Sequence, residues 1–205
     1  MNKSLKSLIS TFPIHPPLGE RKKELVPLIT FIQAKIDAQD PVALHFICTH
    51  NSRRSQFSQF WAKAMAVHHN IRCETFSGGV EVTACNKRVI NTLQKQGVVV
   101  YKKEEGDNPR YTLKIDEENS IVLFSKLVDH PSNPSTGFAA VMTCAHADEH
   151  CPFISGAEQR IPLRYTDPKI FDDTKQETQG YLSKSMEIAA EMFYVFSSIK
   201  QQSHE

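Results

Sequence analysis

This sequence has no excess of charge of either sign. Its 205 residues carry 24 basic and 23 acidic side chains, so no global field draws it to nucleic acid or an anionic membrane, and any anion it handles must be held locally. No apolar run approaches the roughly 18 residues that span a bilayer. The opening "MNKSLKSLISTFPIHPPLGERKK" also lacks the continuous hydrophobic core of an export signal. Together these absences point to a cytoplasmic chain with neither nucleic-acid nor membrane partners. No internal repeat or low-complexity tract is evident. The five cysteines, Cys48, Cys73, Cys85, Cys144 and Cys151, are then expected to be reduced, and any disulfide among them to be transient and catalytic. The length allows one domain with a real core and no need of covalent staples.

What is present is an alternation of strands and helices. Pro13, Pro16 and Pro17 mark an arm lying on the surface up to about Gly19. Leu25, Leu28, Ile29, Ile32 and Ile36 then fall at helical spacing, with Pro27 near the first turn and Asp40-Pro41 as the stop. "VALHFIC" is a short buried strand, and "RRSQFSQFWAKAMAVHHN" is helical, with Phe57, Phe60, Trp61, Ala64 and Met65 on one side. "IRCETFSGG" reads as a second strand and "NKRVINTLQKQG" as a short helix stopped at Gly97. In the less regular middle, "YTLKI" and "SIVLFSKLV" look like strands and "DHPSNPSTG" like a loop. "FAAVMTC" is another buried strand, "RIPLRYTDPKIFDDT" a proline-broken loop, and Leu182, Met186, Ala189, Phe193 and Phe196 mark a long final helix. Short parallel strands alternating with helices imply an α/β fold with a doubly wound sheet, whose ligands bind outside the carboxyl ends of the strands. Cys48 and Cys144 both sit at such ends.

The stretch "HFICTHNSRRSQ" has its own chemistry. A loop between strand and helix turns consecutive backbone N–H groups, with the positive end of the helix, into a concavity suited to a tetrahedral oxyanion. That loop comprises Thr49, His50, Asn51, Ser52, Arg53 and Arg54. Arg54 can fork back onto two anion oxygens. The same positive surroundings favour the thiolate of Cys48. Ser55 can donate to that sulfur, and the Asn51 amide can pin the loop backbone. The alternative is a buried structural cysteine followed by a basic helix. A nucleophile attacking such a centre needs an acid for the leaving group, and Asp167, held by the restricted backbone before Pro168, offers one; an Asp-Pro can equally be only a turn.

These residues resemble a known family. "FICTHNSRRSQ", the "FSGG" closing the second strand and the late Asp-Pro look like the low-molecular-weight tyrosine phosphatase fold, and "TCAHADEHCP" looks like the redox segment of the thioredoxin-coupled arsenate reductases that share it. The resemblance covers about residues 42–200. It implies a three-layer α/β/α flavodoxin-like parallel sheet with an extra N-terminal helix. Residues 1–40 would form the arm and helix, and residues 41–205 the catalytic domain. It also implies Cys48 as nucleophile, Arg54 as the anion-binding arginine, Ser55 as thiolate partner and Asp167 as general acid. Cys144 and Cys151 would be a resolving pair. No cofactor or metal is required, although Asn51 and Ser77 match positions that help hold a potassium ion in some members. There are departures. His50 stands where the family usually has glycine, which bears on how the backbone turns left-handed, and Arg53 stands where it has cysteine, adding charge at the mouth. Gln59 replaces the carboxylate of potassium-binding members. The segment from Tyr101 to Pro134 is longer than the family's connection, as an added hairpin would make it.

Three functions follow. An arsenate reductase would use all three cysteines, with thioredoxin or another thiol reductant as partner. A protein tyrosine phosphatase would hydrolyse phosphate monoesters through phosphocysteine, and a non-enzymatic module would bind the anion alone. In a helix the step from Cys144 to Cys151 spans about 10 Å, beyond the ~7 Å between α-carbons that a disulfide tolerates, so "AHADEH" must loop out on oxidation. Cys144, His146, His150 and Cys151 could instead be zinc ligands, though the spacing matches no common finger, or the two cysteines could be structural. Cys73 and Cys85 read as core or surface thiols. Arg160 and Arg164 could extend an anion funnel or be merely solvated.

Overall fold

The run Val42–Cys48 is apolar on both faces because it lies inside a parallel sheet covered on both sides. The computed structural model describes residues 3–12, 17–150 and 153–200, apart from the side chain of His150. In chain order the elements are α1 (Lys3–Ile9), α2 (Glu20–Asp37), β1 (Val42–Cys48), α3 (Arg54–His68), β2 (Cys73–Gly79), α4 (Lys87–Lys95) and β3 (Val99–Lys102). They continue with β4 (Tyr111–Lys114), β5 (Ser120–Leu123), β6 (Phe138–Met142), α5 (Ala145–His150), β7 (Ala157–Pro162), a 3-10 turn at Pro168–Phe171 and α6 (Glu177–Ser197). The sheet runs β2-β1-β6-β7, all parallel.

Alternation along β1 divides the core. Leu44 and Phe46 join the larger apolar cluster with α2, α3, α4 and α6, whereas Ile47 joins a smaller one with Met142, Ala147 of α5 and Ile154. The three-layer α/β/α arrangement with an N-terminal helix is therefore present, with the thinner layer on the α5 side.

Three segments differ from their sequence expectations. The arm contains helix α1, whose Leu5 and Ile9 are fully buried, and Phe12 meets Trp61 edge-on at 6.1 Å. A helix of seven residues is marginal by itself, so packing makes it, and the local sequence does not. The long middle segment is a separate antiparallel sheet, β3-β4-β5, one strand more than a hairpin. Its outward residues Val99, Tyr101 and Val122 are exposed, while Leu113, Ile121 and Leu123 turn inward. Part of the expected proline-broken loop is β7, an edge strand ending on Pro162. Its largely exposed polar residues hide the apolar signal, and proline is tolerated where pairing stops.

A cluster of polar groups ties α2 to the rest. Arg21 donates to both Glu191 oxygens, at 2.6 and 2.9 Å, and stacks over Tyr165, whose hydroxyl donates to the same carboxylate at 2.7 Å. Burial and the bond to Glu191 also raise the Tyr165 phenol well above its ordinary range. Arg21→Met leaves the Glu191 carboxylate, 6% exposed, without its cation. It should cost roughly 3 kcal/mol in urea unfolding, whereas Lys23→Met, in an exposed pair with Glu20, should change stability by less than about 0.5 kcal/mol. Equal effects would mean that α2 is not held through Arg21.

Candidate active site

β1 ends on Cys48, and five residues curl back before α3 begins at Arg54. Cys48 lies opposite Gly79 of β2, and Ile47 opposite Met142 of β6. A β-carbon on Gly79 would come within 2.7 Å of both Asn51 N and Thr49 O, so the loop crosses the strand where only glycine leaves room. The left-handed conformation that turns the loop falls on Asn51, at φ 46°, and not on His50. Asparagine is among the few residues other than glycine that tolerate it. His50 therefore bears no strain; its ring reaches outward to Glu81 at 3.1 Å, and its carbonyl accepts from Ser125 Oγ at 2.8 Å.

One amide orders the hydrogen bonds around the sulfur. Cys48 is 3% exposed, with Sγ 3.1 Å from Ser55 Oγ. The Lys126 backbone N–H donates to Asn51 Oδ1 at 3.0 Å, and Asn51 Nδ2 donates to Ser55 Oγ at 2.8 Å. A backbone N–H can only donate, so the Asn51 amide has one orientation and Ser55 accepts from it. The Ser55 hydroxyl then keeps its own proton free to point at the sulfur, and either atom of that pair can be the donor. Gln56 closes the turn from below, its Nε2 donating to Asn51 O at 2.6 Å and Phe124 O at 2.9 Å. Ser52 Oγ donates to Ala84 O at 2.7 Å.

The two arginines differ. Arg53 is drawn away from the loop mouth, with Nε donating to Tyr181 OH at 2.7 Å and Nη2 to Asp172 Oδ2 at 3.0 Å. The charge expected at the mouth is thus neutralised. Arg54 pairs through Nη2 with Asp167 Oδ2 at 2.7 Å and through Nη1 with the Tyr165 carbonyl at 3.2 Å, while its buried Nε has no partner. An unpaired buried donor is costly, and here it belongs to the group best shaped to fork onto an oxyanion. The other Asp167 oxygen accepts from Lys169 N at 3.0 Å and caps the 3-10 turn.

Cys144 follows β6 and is 1% exposed. Its sulfur lies 3.5 Å from Thr49 Oγ1 in the Cys48 loop and accepts from Ala147 N at 3.4 Å. Thr49 Oγ1 is also 3.4 Å from His146 Nδ1. The segment after Cys144 is helical here, as α5, and is clamped by Asp148, which Arg160 and Arg164 both contact; Arg164 Nε donates to Oδ2 at 2.7 Å. These two arginines are paired with Asp148. Cys151 lies outside the described residues, as does the side chain of His150. Among the described residues no group of three or more His, Cys, Asp or Glu side chains could hold a metal. Cys73 and Cys85 are buried elsewhere, and burial pushes both thiols up to about 12, which leaves them inert.

Donors at the position linked to potassium do not suit that ion. Ser77 Oγ donates to Gln59 Oε1 at 2.6 Å, Gln59 Nε2 donates to Thr75 O at 3.0 Å, and the Lys126 ammonium stands 3.5 Å from Ser77 Oγ. An amide replaces the carboxylate, and a cationic side chain already fills the place.

A parallel sheet ending in such a loop, with Cys48, Arg54, Ser55 and Asp167 drawn around it, defines an enzyme of the low-molecular-weight phosphatase fold. The chain superposes on a low-molecular-weight phosphotyrosine phosphatase from Vibrio cholerae O395 with a TM-score of 0.51 and 13% identity, over 77% of this chain and 95% of that one. It superposes on the low-molecular-weight protein tyrosine phosphatase from T. tengcongensis with a TM-score of 0.51 and 12% identity, over 77% and 99%. At these identities the likeness is one of fold. By sequence its relatives are arsenate reductases: it is 25% identical over 129 residues to arsenate reductase 2 of Staphylococcus epidermidis, covering 63% of this chain and 80% of that protein. It is 28% identical over 126 residues to the arsenate reductase of Staphylococcus aureus strain Newman, covering 61% and 77%. No family model matches the chain.

Lys126, Tyr181 and Asp172 escape a reading of the sequence, since each acts on the loop from a distant segment. Only the glycine pair of "FSGG" signals that something crosses there. Gly79→Ala should cost roughly 2 kcal/mol in urea unfolding and abolish the protection of Cys48 from iodoacetamide by inorganic phosphate. Full retention of both would show that the loop does not close on this strand.

Proposed function

We propose that the chain reduces arsenate to arsenite, with residues 41–205 as the catalytic unit and residues 1–40 bracing it through Arg21. The Cys48 thiolate displaces one oxygen of arsenate held by the loop amides and Arg54. Asp167 supplies the proton with which that oxygen leaves as water. For this the Arg54–Asp167 pair must open when the anion takes the guanidinium. The Cys144 thiolate then attacks Cys48 Sγ; an S–S bond forms, the S–As bond breaks, and its electron pair takes arsenic from the +5 to the +3 state as arsenite. Cys151 attacks Cys144 in turn, returning Cys48 as a thiol, and a dithiol protein such as thioredoxin, or another thiol reductant, reduces the Cys144–Cys151 bridge. That chemistry suits the reducing cytoplasm.

The observation that carries this reading is the second thiol beside the first loop, with Cys144 Sγ 3.5 Å from the hydroxyl of Thr49. A phosphatase has no use for it, because water releases the phosphate. The loop, Arg54 and Asp167 also favour a second reading, a low-molecular-weight protein tyrosine phosphatase that hydrolyses phosphate monoesters.

One pair of variants separates the two. Cys48→Ser should abolish both activities, since the hydroxyl keeps the shape and loses the nucleophile. Cys144→Ser should lower thioredoxin-coupled arsenite formation at least about 100-fold and leave p-nitrophenyl phosphate hydrolysis within about threefold. Arsenite formation at the parent's rate by Cys144→Ser would remove Cys144 from the cycle, and a parent that hydrolyses the ester and forms no arsenite would leave only the phosphatase reading.

A further inference from the structure

Lys126 is a buried cation without an anion. The residue is 4% exposed. Its ammonium meets Ser77 Oγ at 3.5 Å and the ring of Phe124 at 4.6 Å from the centroid, and Arg110 lies over that ring at 4.3 Å. Among the described residues no carboxylate pairs with it. The titratable groups that act on it are neutral or positive: the Cys85 thiol, pushed up to about 12 by burial, the His45 imidazole, pulled down to about 3 by burial and then by Lys126, together with Arg110 and His130. Glu104 and Asp129, which line the same cavity, form no ion pair with it, and Glu104 is taken by Arg110 at 3.4 Å. Burial pulls Lys126 itself down to about 8. An isolated buried charge is among the most costly features a fold can carry. Lys126 has its backbone N–H on Asn51 and its ammonium on Ser77, directly beneath the loop that ends β1.

We propose that the Lys126 ammonium is a built-in monovalent cation for the Cys48 loop. It takes the place of an external ion and balances the negative charge that collects when the thiolate and an oxyanion share that loop. Lys126 is thus a positioning residue, acting on the anion through charge and on the sulfur through Asn51 and Ser55. The inference rests on the Cys48 loop being the oxyanion site, and holds whichever reaction follows.

The probe is inorganic phosphate, titrated calorimetrically against the full chain. The parent should bind it equally in potassium chloride and in choline chloride of the same ionic strength. Lys126→Met should weaken binding at least about tenfold in both salts, by loss of charge, without lowering the melting temperature, because an apolar residue of similar length removes an unpaired buried cation. Lys126→Ser should lose binding similarly and regain several-fold in methylammonium or potassium, which a merely structural lysine would not allow. Phosphate binding by Lys126→Met within about twofold of the parent, or a parent that requires potassium, would overturn the inference. A parent that binds no phosphate in either salt would overturn the loop assignment, and this inference with it.

Discussion

What the Cys48 loop can do depends on the orientation of one side-chain amide. Asn51 is placed in the left-handed region by the turn, and its oxygen is fixed by a backbone donor from Lys126. Its nitrogen then faces Ser55, which accepts from it and keeps its own proton free for the sulfur. Aspartate at this position could make the first contact and not the second. Alanine could make neither and would bear the backbone strain as well. The sulfur thus ends a relay of hydrogen bonds that begins at Lys126, in a distant segment of the chain, so the placing of that segment bears on the loop.

The scaffold determines which groups share the site. β1 and β6 are neighbours in the parallel sheet, so Cys48 and Cys144 emerge at the same edge despite their separation in the chain. Arg54, at the start of α3, reaches the Tyr165 carbonyl in the loop after β7, and Tyr165 is in turn held by Glu191 of α6 and Arg21 of α2. Helix α2 therefore bears on Arg54 through three contacts. Asp148, clamped by Arg160 and Arg164, secures α5 beside Cys144. If Cys151 bridges Cys144 as proposed, the segment between them must leave its helical form, because seven helical residues span about 10 Å, more than a disulfide tolerates.

The parts written locally in the sequence were legible. Cys48, Arg54 and Ser55 lie within one strand–loop–helix unit, and their spacing, with the apolar run before it, was enough to place them around one concavity. Asp167 was marked by its proline, though not its pairing with Arg54, which depends on where two distant loops meet. The left-handed residue was expected near His50 and is Asn51, a distinction that depends on backbone geometry. Arg53 was expected to add charge at the mouth; Tyr181 and Asp172, far along the chain, withdraw it. Helix α1 and strand β7 were hidden for opposite reasons. The first is too short to announce itself and is made by packing, and the second is an edge strand whose mostly exposed polar side chains mask its period. Lys126 read as one lysine among many, since nothing local marks a charge as buried.

If Cys48 and Cys144 act in sequence on one oxyanion, as proposed, their oxidation is left on a pair of thiols. Mass mapping of disulfides after a single turnover with arsenate, without reductant, tests it most directly. The expected result is one arsenite released per chain and a bridge between Cys144 and Cys151, with Cys48, Cys73 and Cys85 still thiols. Arsenite released with every cysteine reduced, or a bridge that involves Cys73 or Cys85, would contradict it.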